Sequence, residues 1–339
     1  MTLTDGSKSE SLLRLGLGYW SSKAFLTACE LKLFTLVHQG TDSVEEVARA
    51  LAIPHRSARI LMDAMASLDL LAKEGGSYET TDLSSELLVE GTPDYMGDFF
   101  VAVDRMFYKP FVQFEQALRE GRPVWSSDAE GRHQPVSREE AALFTRAMHG
   151  LGKLTAQAFG RSRDLSERTH LLDIGGGSGV MSIGAVQRNP LLEATVLDRP
   201  AVCEVAKGYI SQAGLLDRIK TLEGDIFTGE YPPYFDVHLY SNVLHNFKED
   251  DCLALLAKSY RSLPSNGKVI IIDYLLGENE ISPEFAVVFN LFALVALDGG
   301  ETRTFEHYKS WLESVGFRRV GLKPLWGPST LVRALKGQG

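Results

Sequence analysis

At 339 residues the chain exceeds one typical domain, and its 44% apolar and 23% charged residues are the balance of a chain that is ordered nearly throughout. A formal net charge of -9 argues against a general binder of nucleic acid or anionic membrane, since both need a basic footprint. Cys29, Cys203 and Cys252 lie far apart without a C-x-x-C pair, the start is polar, and no apolar run reaches the roughly 18 residues of a membrane span, so a reduced, soluble, cytoplasmic protein without disulfides or zinc is expected.

In chain order, residues 11–36 carry Leu12, Leu15, Tyr19, Leu26 and Leu33 at helical spacing and read as one or two helices. A short helix over residues 41–51 starts at Asp42 or Ser43, with Glu45 and Glu46 in the first turn where the dipole favours carboxylates. Residues 55–71 repeat the pattern and run into two short extended stretches around Gly75-Gly76, which completes a winged-helix outline. That outline invites a DNA-binding regulator as an alternative, and charge argues against it: residues 41–90 hold four Lys or Arg against ten Asp or Glu. Residues 94–160 are helical by pattern, with a linker or elbow expected at 121–135. After residue 169 short apolar runs alternate with amphipathic helices, the mark of a parallel, doubly wound α/β sheet. Strands are expected at 170–174, 194–197, 219–222, 237–240 and 269–273, with a closing pair at 318–323 and 329–335.

The strongest chemical signal is the run from Leu171 to Gly179, an apolar strand entering a loop with four glycines and then a helix. Such glycines let backbone approach a ligand closely, and the helix start offers free N–H groups; alone, such a loop is also found as a plain turn or binding another nucleotide. Asp198 closes the next strand 25 positions after Asp173, where a carboxylate can accept from both ribose hydroxyls, so an adenosine ligand is expected. Asp225, just after the third strand, is placed to meet an adenine amino group.

The run from Asp173 to Gly179, the Asp198-Arg199-Pro200-Ala201-Val202 segment, Gly224-Asp225-Ile226-Phe227 and Val243-Leu244-His245-Asn246-Phe247 together resemble the dimeric O-methyltransferases, the family of the caffeate and hydroxyindole enzymes and of many bacterial natural-product enzymes. The likeness spans nearly the whole chain. It implies a class I methyltransferase fold: a Rossmann-like, mostly parallel seven-stranded sheet binding S-adenosylmethionine over residues 161–339, behind a mainly helical winged-helix dimerisation domain over 1–100 and a helical linker over 101–160. Gly175 and Gly177 would line the methionine part of the cofactor, Asp198 the ribose, and Asp225 and Ile226 the adenine. Asp173, Arg199, Ser241 and Asn242 complete the expected cofactor set. Phe247 stands where the family commonly stacks a tryptophan, keeping the ring face and losing only the indole N–H.

His245 is the expected general base. A phenol is a poor nucleophile until its proton is taken, and imidazole titrates near enough to neutrality to take it. The resemblance implies that Asp273 orients it. A second family motif, Gly-Gly-x-Glu-Arg-Thr, reads Gly299-Gly300-Glu301-Thr302-Arg303-Thr304 here, with Glu301, the expected second catalytic acid, one place off, and Asn246 replaces an aspartate beside the base. These departures keep carbon or nitrogen methylation, or a family member that does not transfer the methyl, open as alternatives. Met106, Phe107, Phe144, Met148, Phe289, Asn290 and Ala293 are the candidates to line a flat acceptor, Asn290 as a donor and acceptor amid apolar neighbours. The expected protein is thus a homodimer methylating a hydroxyl of a small aromatic or polyketide-like molecule, with no nucleic-acid or membrane partner and no metal.

Overall fold

Ser43 begins a helix for a local reason: its hydroxyl accepts the Glu46 N–H at 3.3 Å while the Glu46 carboxylate accepts the Ser43 N–H at 3.4 Å, a reciprocal capping box. The computed structural model describes residues 5–125 and 138–337, and the chain divides into two units, Met1–Tyr108 and Lys109–Gly339. The first contains helices α1 (Asp5–Glu30), α2 (Leu33–His38), α3 (Val44–Ala50) and α4 (His55–Ser67), then strands β1 (Leu71–Glu74) and β2 (Ser77–Thr80). Helices α5 (Asp82–Leu87) and α6 (Gly97–Ala102) and a π-helical turn over Val103–Phe107 complete it. Gly75 and Gly76, both at positive φ, make the hairpin turn that reverses β1 into antiparallel β2. Leu33, Phe34, Met62, Met65 and Tyr78 form the centre of its core.

The N-terminal half of α1 behaves differently from its spacing. Leu12, Leu15, Tyr19 and Trp20 are 70%, 81%, 55% and 59% exposed, so this face is left uncovered by its own unit. On α4, Arg59 is paired with Asp63 at 3.0 Å, and Lys73 of β1 reaches the same carboxylate at 2.6 Å, so two of the few bases in this acidic segment are neutralised.

The second unit follows α7 (Tyr108–Phe111), which spans the division, with α8 (Phe114–Glu120) and α9 (Arg138–Gly160). Of the elbow expected at 121–135, residues 126–135 lie outside the described residues. The expected linker over 101–160 divides at Tyr108, and α9 belongs to the second unit. Then come β3 (His170–Ile174), α10 (Val180–Arg188), β4 (Glu193–Asp198), α11 (Pro200–Gln212), β5 (Ile219–Glu223), β6 (Val237–Ser241), α12 (Glu249–Ser262) and β7 (Lys268–Tyr274). Helices α13 (Glu284–Ala296) and α14 (Phe305–Ser314) and strands β8 (Phe317–Trp326) and β9 (Ser329–Lys336) finish the chain. Helices α9 and α10 cross at glycines: a Cβ on Gly160 would lie 2.1 Å from the Gly184 carbonyl oxygen.

The seven strands run in the order β5-β4-β3-β6-β7-β9-β8, parallel from β3 to β7, with β9 antiparallel to both β7 and β8. The chain moves outward from β3 through β4 to β5 and then returns to place β6 on the other side of β3. A crevice therefore opens between the carboxyl ends of β3 and β6, where ligands bind in sheets of this kind. Both faces are apolar and covered, with Tyr240, Val269, Ile271 and Phe317 on one side and Leu171, Val196, Leu239 and Ile270 on the other. No helix among the described residues is long and apolar enough to cross a membrane.

One buried group in this sheet makes stability depend on pH. His238 of β6 is fully buried, its Nδ1 lies 2.9 Å from the Ser259 hydroxyl, and its Nε2 has no partner among the described residues. Burial pushes it down to about 3, below the ~6.5 of an unfolded histidine, so the folded chain binds fewer protons and loses stability as pH falls below that unfolded value. Between pH 7 and 5 this amounts to about 2 kcal/mol at 1.36 kcal/mol per unit. Asp173, raised to about 6 mainly by burial, acts in the opposite sense and cancels when wild type is compared with His238→Asn. Denaturant unfolding at both pH values should show wild type losing about 2 kcal/mol more than the variant on acidification; equal losses would discard this account.

Candidate active site

The loop after β3 supplies the first half of the site. Gly175 and Gly177 sit at φ of 67° and 58°, a left-handed backbone that only glycine adopts cheaply, and nothing lies within 4 Å of a Cβ built on Gly177. Gly176 is needed for another reason: its Cβ would meet the Asp173 carboxylate carbon at 2.6 Å, because Asp173 lies directly beneath the loop. That carboxylate is fully buried and accepts from the Ser182 hydroxyl at 2.7 Å through Oδ2. From the end of β4, Asp198 accepts the Gly177 N–H at 2.9 Å and the Arg199 N–H at 2.7 Å, which ties the ribose candidate to the loop and leaves lone pairs on both oxygens. Arg199 itself is exposed. Burial raises the Asp198 carboxyl above its ordinary value.

Asp225 and Ile226 follow β5. Asp225 is exposed and accepts the Phe227 N–H at 2.9 Å, an Asx turn that fixes the loop. Behind it the buried Lys258 donates to the carbonyls of Ile226 at 2.7 Å and Thr228 at 2.8 Å, an anchor with no local signature in the sequence. Phe247 packs edge-on against Phe227 at 4.9 Å between centroids.

Beyond β6 the chain makes a tight turn, Leu244–Asn246, with Ser241 and Asn242 at its entry. Asn246, substituted for the family's aspartate, uses its Nδ2 to donate back to the carbonyls of Asn242 at 3.1 Å and Val243 at 3.0 Å, so it closes the turn. Arg303 donates to the Phe247 carbonyl at 2.8 Å and stacks over Trp311 at 4.8 Å, holding the far end. Gly300 lets the two segments touch, since a Cβ there would fall 2.5 Å from the His245 carbonyl oxygen.

This turn delivers His245, only 5% exposed, with Nδ1 at 2.5 Å from Asp273 Oδ1 at the end of β7. A carboxylate only accepts, so Nδ1 carries the proton of this pair and Nε2 is the ring nitrogen left for other partners. Asp273 also accepts the Tyr274 N–H at 2.8 Å and, through Oδ2, the Tyr308 hydroxyl at 2.8 Å. Glu301 does not join them: its carboxylate is 62% exposed and faces Arg303 at 3.9 Å. Turning inward instead is Thr302, whose N–H and hydroxyl both reach Asn290 Oδ1, at 2.7 and 2.9 Å. Expecting Glu301 as a catalytic acid is thereby corrected: the one-residue offset aims it outward and puts a hydroxyl where the family has a carboxylate.

Helix α13 lies against the base. The Phe289 ring stands edge-on to the His245 ring at 4.9 Å, and Tyr274 packs with Phe285 and Phe289 at 4.9 and 5.4 Å. Asn290 is half-buried with its oxygen held by Thr302, which leaves its amide N–H groups as donors, while Ala293 is buried. Phe144 and Met148 are half-buried one helical turn apart on α9. Met106 and Phe107 belong to the first unit, where Met106 is buried and Phe107 half-buried.

Comparison with known proteins decides the family. The O-methyltransferase domain model matches residues 111–318, and the O-methyltransferase dimerisation domain model matches residues 13–90. The chain belongs to the O-methyltransferase family. It is similar to the 3-hydroxy-5-methyl-1-naphthoate 3-O-methyltransferase of Streptomyces sahachiroi, at 31% identity over 91% of this chain and 89% of that one. It is also similar to the L-tyrosine C(3)-methyltransferase of Streptomyces lavendulae, at 28% identity over 91% of this chain and 88% of the relative. The structure of human N-acetylserotonin methyltransferase in complex with S-adenosylmethionine superposes with a TM-score of 0.90 at 27% identity and covers both chains completely. Its cofactor as a member of this O-methyltransferase family is therefore S-adenosylmethionine. Two features of the crevice fit that molecule. Asp173 Oδ1 and Asn242 Oδ1 are buried acceptors with no donor among the described residues, beside a glycine loop open enough for close approach. A ligand carrying an ammonium and ribose hydroxyls supplies the donors that such acceptors lack.

Proposed function

We propose that this methyltransferase modifies a hydroxyl of a small aromatic or polyketide-like acceptor, with His245 taking the proton. The observation that carries this reading is the buried His245–Asp273 pair, held at 2.5 Å on the turn beside the glycine loop and walled by Phe289. When bound, the cofactor supplies an activated sulfonium methyl. Asp173, Gly175, Gly177, Asp198, Arg199, Asp225, Ile226, Ser241, Asn242 and Phe247 hold it. Asp273 fixes the imidazole so that Nε2 faces the acceptor hydroxyl. The rings of Phe144 and Phe289 and the Met148 thioether take the flat faces of the acceptor, and Asn290 offers its N–H groups to an acceptor oxygen.

Residues 13–90 match a dimerisation domain, and the uncovered apolar face of α1 lies within that span. A homodimer buries it, and mass measurement in solution tests this. Incubating the protein with labelled S-adenosylmethionine and a panel of phenols, naphthols and hydroxylated polyketides should give methyl ethers. Absence of label from every product would remove the proposal. A carbon-methylating reading is favoured by one observation, the similarity to the L-tyrosine C(3)-methyltransferase, and a product from the same panel that keeps its labelled methyl through ether cleavage with boron tribromide would select it.

A further inference from the structure

We propose that Tyr308 is a positioning residue for the base, acting through Asp273, and that it takes over the orienting task of the acid replaced by Thr302. The inference rests on His245 being the base. Asp273 is fully buried, and both its oxygens are engaged: Oδ1 by His245 Nδ1 at 2.5 Å and the Tyr274 N–H at 2.8 Å, Oδ2 by the Tyr308 hydroxyl at 2.8 Å. A carboxylate gripped on one oxygen alone can swing about its terminal torsion, which is broad and two-fold. Gripped on both, it presents a fixed acceptor to Nδ1–H and keeps the imidazole in a single tautomer.

At the position where the family has a glutamate, Thr302 carries a neutral hydroxyl whose one proton lies between two acceptors, Asn290 Oδ1 at 2.9 Å and the Ala286 carbonyl at 3.0 Å. Tyr308 reaches Asp273 from a different element. Helix α14 is capped by Thr304, whose side chain accepts the His307 N–H, and Tyr308 sits one turn into it, its ring edge-on to Trp311 at 5.5 Å. The Tyr308 phenol is fully buried, and burial together with the adjacent Asp273 carboxylate pushes its titration well above the usual range. It therefore stays protonated and can only donate to Asp273.

The test compares wild type with Tyr308→Phe, which keeps the ring and removes the donor. With a weakly acidic phenol, kcat should fall roughly fivefold at neutral pH, less than on loss of the base itself, while calorimetry gives an unchanged Kd for S-adenosylmethionine. With a phenol acidic enough to be ionised already, the loss should shrink to less than about twofold, because no base is then needed. A side chain that only stabilised the fold would lower both rates equally. Equal losses, or none, overturn the proposal. A second measurement needs no acceptor: proton spectra should show a slowly exchanging His245 Nδ1–H line in wild type that broadens or vanishes in the variant. Persistence of that line in Tyr308→Phe overturns the proposal. Should the variant fail to fold, the wild-type spectrum decides, since a Tyr308 hydroxyl proton in rapid exchange overturns it equally. Wild type that methylates no phenol defeats the functional reading instead, and the spectra still judge Tyr308.

Discussion

Replacing His245 by alanine is expected to lower the methylation rate at neutral pH roughly tenfold or more, a floor set below the roughly 100-fold that a positioned general base usually supplies. The lower figure is chosen because the sulfonium methyl is activated before the acceptor arrives, so an aligned hydroxyl still reacts by proximity when its proton must leave to water. The side chains surrounding the base add little charge. Asn246 is spent on the turn, Glu301 is 62% exposed, and Thr302 is neutral, so among the described residues Asp273 is the one carboxylate bonded to the imidazole. The deficit of His245→Ala should therefore shrink as pH rises toward the ~10 at which a phenol ionises unaided. Binding of the cofactor should be unchanged, since Nε2 faces the acceptor in this reading. Initial rates from pH 6 to 10 check it; a variant as fast as wild type across that range removes His245 from the mechanism.

How much of this was legible beforehand depended on whether a feature was local. The five parallel strands are short apolar runs bounded by turn residues, and each expected strand falls within β3 to β7 to within a residue at either end. Strand β8 extends beyond its expected 318–323 because its outer residues alternate with solvent and are broken by register shifts, so periodicity faded there. The loop aspartates stood out only as a set, since a single carboxylate after a strand serves equally well as a turn or cap residue, as Asp225 does in accepting the Phe227 N–H. Tyr308 was not, since one aromatic residue on the buried stripe of an amphipathic helix looks like ordinary core until the fold brings β7 beneath it. Lys258 is a similar case: a lysine in a helix reads as solvated, and only the packing of α12 behind the Ile226 loop shows that its ammonium is buried on two carbonyls. Glu301 erred in the other direction. Its place beside the motif suggests a catalytic acid, whereas the loop turns its side chain out to solvent, 62% exposed beside Arg303.

The glycine loop gives the second large expectation. Asp198→Ala should raise the Kd for S-adenosylmethionine about 100-fold, because two hydrogen bonds from ribose hydroxyls to a charged acceptor are lost at about 1.5 kcal/mol each. The structure adds a reason beyond those lost contacts. Asp198 accepts the Gly177 N–H at 2.9 Å, so the same carboxylate that is proposed to hold the ribose also fixes the loop meant to face the methionine part. Asp198→Asn separates the two contributions. An amide oxygen can still accept from Gly177 while the charge is gone, so the asparagine variant should bind about tenfold more tightly than the alanine variant and still more weakly than wild type. Titration calorimetry on folded protein, with S-adenosylhomocysteine as a second ligand lacking the sulfonium charge, should give the same ranking for both ligands if the ribose is the partner. If alanine weakens only the charged cofactor and spares the demethylated one, Asp198 acts on the sulfonium or its field, and the ribose assignment is lost.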